Sequence, residues 1–193
     1  MPDYDTTAAK AESIHNRANE QYAAVRENDR LTPEGKAEQI QSIYDATKGT
    51  IERLQDEYTN GVTVTSRQLA TDLFGGRRLD GASAQAATAA ADRAASINDV
   101  EEADRVLRDA MLDGNEFLAK AIARKALDAF LGDDMFGGPW GAVVNTWCEG
   151  NRLREEKVQK LVKLRTGGGG VFANAIFLTP TPPEARDSVF STW

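Results

Sequence analysis

From Ile40 to Tyr58 the residues Ile40, Tyr44, Thr47, Ile51, Leu54 and Tyr58 recur alternately four and three positions apart. That period lines one face of a helix and none of a strand, so it restricts the chain's fold more than any other feature. The seam is short and is broken by the polar Thr47. Gly49 and Gly61 weaken it, and the β-branched run Val62-Thr63-Val64-Thr65 lowers helix propensity just beyond. Two outcomes follow for residues 33–74: a break near Asn60-Gly61, or an unbroken helix about 60 Å long that a partner must steady.

A second stripe precedes it. Ile14, Ala18, Tyr22 and Val25 predict a helix over residues 6–29. Asp29 to Glu34 then stops and restarts the chain, with Thr32 as N-cap and Pro33 at the first helical position, where its missing N–H costs nothing. Two apolar stripes joined by a short turn predict an antiparallel helical hairpin over residues 1–74.

Gly75-Gly76-Arg77-Arg78-Leu79-Asp80-Gly81 reads as a linker. The alanine-rich stretch from Ala82 to Ile97 forms helix readily but offers little area to bury, so it needs another backbone close by. Asn98 reads as an N-cap, with Glu101 three positions on. The helix it opens carries Val106, Leu107, Ala110 and Met111 and ends at Gly114. Asn115 caps the next, whose buried face is Phe117, Leu118, Ala121, Ile122, Ala126, Leu127 and Phe130. Pro139 starts a further helix through Trp140, Val143, Val144 and Trp147, interrupted near Gly150 and resumed to Arg165. Residues 82–166 are therefore expected to form a small helical bundle. The glycines at 167–170 predict a hinge. Beyond it, the apolar, β-prone Val171 to Leu178 and Pro180, Pro182 and Pro183 predict an extended C-terminal arm over residues 167–193. Such an arm docks on a partner or folds back on its own domain. The expected class is all-α: a coiled-coil-like hairpin, a helical bundle and the arm. Partner contacts are expected at Ile40, Tyr44, Ile51, Leu54 and Tyr58 on the hairpin. On the arm they are expected at Val171, Phe172, Ile176, Phe177, Leu178, Phe190 and Trp193.

The chemistry-bearing residues point away from catalysis. His15 is the only histidine among 193 residues, which removes any His–His metal pair and leaves a triad one possible base. Cys148 follows Trp147 in an apolar stretch and reads as a small buried hydrophobe. Asp133-Asp134 lacks the alternating oxygen ligands and distal glutamate of a calcium loop. The polyglycine run lacks the Lys-Ser/Thr that completes a phosphate loop. Arg152, Arg154, Lys157, Lys160, Lys163 and Arg165 form one basic run, interleaved with Leu153, Val158, Leu161, Val162 and Leu164 as the outer face of an amphipathic helix. Helices at 98–113 and 115–131 match a helix-turn-helix in outline, and two packed core helices explain them as well. With a net charge of −7 the average surface repels nucleic acid and anionic membrane, and a single cysteine requires no oxidising compartment. No apolar run reaches the roughly 20 residues that span a bilayer. The sequence thus reads as a soluble, non-enzymatic protein made in a cytoplasm, with no metal or cofactor.

Gly114-Asn115-Glu116-Phe117-Leu118-Ala119-Lys120-Ala121-Ile122-Ala123-Arg124-Lys125-Ala126, followed by Trp140-Gly141-Ala142-Val143-Val144-Asn145-Thr146-Trp147, resembles a pattern in small helical head and assembly proteins of actinobacterial tailed bacteriophages and prophages. The turn Leu31-Thr32-Pro33-Glu34-Gly35 is similar to one in their charged hairpins, and the tail beyond Val171 departs from them. The resemblance implies a virion structural protein of the head or head–tail region that contacts copies of itself and other virion proteins. The alternatives are a scaffold absent from the mature particle, or an acidic regulatory module that binds nucleic acid through residues 152–165.

Overall fold

In the computed structural model, which describes residues 3–75, 80–132, 138–167 and 174–187, every regular element is helical and no strand occurs among the described residues. In chain order the helices are α1 (Tyr4–Arg26), α2 (Pro33–Phe74), α3 (Gly81–Ser96), α4 (Val100–Leu112), α5 (Glu116–Gly132), α6 (Trp140–Cys148), α7 (Arg152–Gly167) and α8 (Pro183–Asp187). The chain forms two compact units, one of residues 1–64 and 167–193, the other of residues 65–166.

Local chemistry sets the ends of the first unit's helices. Asp3 caps α1, its carboxylate accepting from the Thr6 N–H at 3.3 Å and the Thr6 hydroxyl at 2.8 Å. Arg30 N–H donates to the Asn28 side chain at 3.0 Å in the connecting turn. Thr32 caps α2 as its sequence predicts, accepting from Gly35 N–H at 3.1 Å. Lys36 Nζ reaches back to the Arg26 carbonyl at 2.6 Å and so satisfies an end group of α1. α2 continues unbroken for 42 residues through Asn60-Gly61, with no break at the expected position. Burial of its stripe outweighs the weak local propensity: Ile40, Ile51 and Tyr58 are all buried, and Thr47 joins them by donating its hydroxyl to the Ile43 carbonyl at 2.7 Å.

In the second unit α5 packs on α3, α4 and α6, and α4 also packs on α6. α3 buries Ala90 and Ala94, and α5 buries Ala119, Ile122, Ala123 and Ala126, so small side chains let the two helices approach. Lys125 of α5 caps the end of α3, donating to Ala95 O at 2.9 Å, to Asn98 Oδ1 at 3.3 Å and to Ile97 O. The cap of α4 is Asp99 and not Asn98: Glu102 N–H donates to Asp99 Oδ1 at 2.8 Å. Aspartate one position later both accepts this bond and places negative charge at the positive helix end. Gly114, at φ +69°, closes α4 with Asn115 N–H donating to Ala110 O at 2.8 Å and Gly114 N–H to Met111 O at 3.3 Å. Asn115 then caps α5, accepting from Leu118 N–H at 3.1 Å. Gly150, at φ +72°, makes the corresponding corner between α6 and α7.

The C-terminal segment differs from the extended β-prone arm that its sequence predicts. The described residues 174–187 turn at Asn174–Leu178 and end in α8. Pro180 and Pro182 keep the intervening chain out of helix, and Pro183 supplies the first helical position. The segment belongs to the same compact unit as the hairpin. The boundary between the units falls at 64/65, within α2 and not in the expected linker 75–81, and again at 166/167, where the sequence places its hinge.

Candidate docking surfaces

In the first unit, the residues expected to bind partners are already occupied. Ala18, Tyr22 and Ile40 form one buried cluster, with Val25, Ile43 and Tyr44 against it. Ala11, Ile51, Tyr58 and Phe177 form another, flanked by Tyr4, Ile14, Leu54, Val62 and Ile176. The Tyr58 ring lies 6.0 Å from that of Phe177 and 6.4 Å edge-on from that of Tyr4. Ile40 and Tyr44 of α2 thus pack against α1, and Ile51, Leu54 and Tyr58 of α2 against both α1 and the C-terminal Ile176 and Phe177, within a single chain. Of the described C-terminal residues expected to bind partners, Leu178 stays open, 70% exposed. Val171, Phe172, Phe190 and Trp193 lie outside the described residues, as do the glycines at 168–170 and Asp133-Asp134.

Polar contacts join the segment to α1 and α2. The Arg26 guanidinium donates to both carboxylate oxygens of Glu184, from Nε at 2.7 Å and Nη2 at 3.0 Å. This pairing holds the Glu184 carboxyl below its usual range. Tyr44 and Thr181 share a hydroxyl–hydroxyl bond at 3.2 Å. Beside these contacts a cavity of about 370 Å³ remains, lined by His15, Asn19, Tyr22, Ile176 and Thr179 among others. Burial raises the pKa of the Tyr22 phenol, and the buried Thr179 hydroxyl has no hydrogen-bond partner among the described residues.

In the second unit an open groove of about 580 Å³ is walled by Leu73, Ala110, Ala119 and Trp147 and rimmed by Met111 and Leu153. The chain positions both rim residues at glycine corners, Met111 just before Gly114 and Leu153 in the first turn of α7. Met111 is 37% exposed, Leu112 beside it 85% and Leu153 72%. Charges of both signs border the groove: Asp72 and Glu116 against Lys120, Arg154 and Lys157. Its floor is rigid. The Phe74 ring stacks on Trp147 at 5.1 Å, and the Arg154 guanidinium lies 4.7 Å from the Trp147 ring while donating to the Trp147 carbonyl.

The basic face of α7 is largely committed to its own unit. Lys157 pairs with Asp72 at 3.0 Å, Arg165 with Asp128 at 3.2 Å and Arg152 with Glu156 at 2.9 Å. Arg154 is held on Trp147, which leaves Lys160 and Lys163 as the cations of α7 with no ion pair among the described residues. On α5 the cations are likewise engaged: Lys120 with Glu116, Arg124 with Asp128, and Lys125 at the end of α3. α4 and α5 pack together as core helices of the unit.

Sequence reasoning missed one polar network. Thr146 of α6 is buried, and its hydroxyl donates to Asp104 Oδ1 at 2.6 Å while accepting from Arg108 Nη2 at 3.0 Å. Arg108 Nε donates to Asp104 Oδ2 at 2.9 Å. The Thr146 bond, with Arg108 beside it, holds the Asp104 carboxyl below its ordinary value. The signal was half visible, because Asp104 and Arg108 stand one helical turn apart, but nothing in the sequence points to Thr146 as the third member. Cys148 is buried, and that burial pushes its thiol up, away from the thiolate that nucleophilic chemistry requires. Among the described residues no cluster of three His, Cys, Asp or Glu side chains is placed to hold a metal. No helix among them is long and apolar enough to cross a membrane.

No family model, curated protein or solved structure matches this chain.

Proposed function

We propose that this protein is a non-enzymatic structural or assembly component that works by binding other protein subunits, and that the assembly is a tailed-phage particle, in its head or head–tail region. The observation that carries the reading is Met111 and Leu153, left in water on the lining of a groove walled by Trp147, with the exposed Leu112 next in sequence to Met111. Three such residues gathered at two helix corners mark an interaction surface better than scattered single exposures do. The occupant is an apolar anchor from a neighbouring subunit, oriented by the mixed charges on the rim. The phage assignment rests on the resemblance of residues 114–126 and 140–147.

Mass spectrometry of purified procapsids and mature virions tests the proposal. Presence in virions supports a retained structural component, and presence in procapsids alone supports the scaffold alternative. Absence from both refutes the assignment. Within particles, Leu112→Asp combined with Leu153→Asp is expected to lower incorporation at least tenfold, because a buried, unpaired carboxylate costs several kcal/mol. Both positions are solvent-exposed in the isolated chain, so its thermal stability should hardly change.

A further inference from the structure

We propose that the C-terminal strap, residues 174–187, is an exchangeable element, and that the hairpin groove it fills also receives the strap of a second copy of this chain. The groove is self-complementary by construction. Whatever seats Phe177 against Tyr58, Thr181 against Tyr44 and Glu184 against Arg26 in one chain seats the same residues from another copy. Three features make the exchange accessible. The bidentate ion pair that anchors the strap lies near the surface, with side chains 46% and 31% exposed. The seat is imperfect, with a neighbouring cavity of about 370 Å³ and a buried Thr179 hydroxyl that has no partner among the described residues. The strap is also separated in sequence from α7 by residues 168–173, a length that reaches roughly 20 Å when extended.

Intrachain and interchain seating make identical contacts, so the balance between them is set by chain concentration and by any contact the paired hairpins add. In a particle that gathers many copies, local concentration drives the exchange. The inference deepens the assembly reading by naming a partner. Its failure would leave the Met111–Leu153 groove, on which that reading rests, untouched.

Charge reversal tests it on the full chain. Arg26→Glu and Glu184→Arg each set like charges against one another within a chain, and each variant alone is expected to stay monomeric with a strap more open to protease. Mixed in equal amounts, they place opposite charges together only across chains. The mixture is therefore expected to give a species of twice the 21.0 kDa chain mass by light scattering. Its dissociation constant should be roughly tenfold or more below that of either variant alone, since two ion pairs are restored. The double variant R26E/E184R should recover the wild-type protease resistance. A mixture that stays monomeric up to about 0.2 mM would overturn the proposal. So would a double variant as protease-sensitive as the singles, because the ion pair would then not be what holds the strap.

Discussion

At Thr146 a single buried hydroxyl joins two helices, because it both donates to Asp104 and accepts from the half-exposed Arg108. Its replacement by valine keeps the shape and removes both bonds. Thr146→Val is expected to cost about 1–2 kcal/mol at pH 7, visible as a fall of roughly 3–8 °C in the melting temperature. The pH dependence has a definite sign. Asp104 is depressed below its ordinary value of 3.8 in the folded chain, so its contribution is complete above that value and is lost as pH falls through the lower, folded one. The gap between wild type and variant should therefore be widest at neutral pH and narrow below about pH 4, as denaturant titrations at several pH values would show. A gap of constant size would mean that Thr146 does not act through the carboxylate. Cys148 shows the opposite balance, a residue whose burial was legible from its apolar neighbours and whose thiol pKa that burial raises.

Among the helices, α2 shows local preference yielding to tertiary burial. Gly49 and Gly61 and the β-branched run argue for a break, yet Ile51, Tyr58 and Leu69 are buried on either side and the helix continues. Gly49 then sits in a helix interior, where an added methyl group meets nothing within 4 Å. Gly49→Ala is expected to stabilise the chain by about 0.5–1 kcal/mol, a rise of roughly 2–4 °C in calorimetry. Gly150 is the contrasting position: its φ of +72° strains any residue with a Cβ. Gly150→Ala should cost about 1–2 kcal/mol by loosening the α6–α7 corner. If both alanines acted alike, the backbone argument would fail at one of the two sites. Helix ends were the best-read features, because caps such as Thr32 and Asn115 act over three or four residues. The slip from Asn98 to Asp99 is a contest between two good capping residues that only geometry settles.

At the scale of the molecule, both ends of the chain build one unit, and the strap covers the hairpin stripe that the sequence left open. A chain ending at Arg165 should uncover Tyr58, Ile51 and Ala11. It is expected to lose about 3–5 kcal/mol from the hairpin, the usual cost of deleting a buried Phe side chain such as Phe177. Circular dichroism should then show part of the helical signal melting earlier, with increased binding of an apolar dye. Unchanged melting would mean that the strap contributes nothing to the hairpin. Of the proposed partner contacts, those on α2 are packed within the chain, and the exposed large apolar residues of the second unit include Met111, Leu112 and Leu153. Neither Met111 nor Leu153 was distinguishable by pattern from a core position: Leu153 sits among the apolar residues of α7, and only the placement of α6 and α4 leaves it in solvent.

The sequence by itself determined the helical class, the caps at Thr32 and Asn115 and the glycine corners, since periodicity and capping depend on residues within a turn or two of each other. Only the tertiary structure decided what covers the apolar stripes. Phe177 meeting Tyr58, Glu184 meeting Arg26 and Thr146 joining Asp104 to Arg108 bring together residues far apart along the chain. No local pattern records such pairings, because many apolar or charged partners would satisfy the same stripe equally well until the helices are placed.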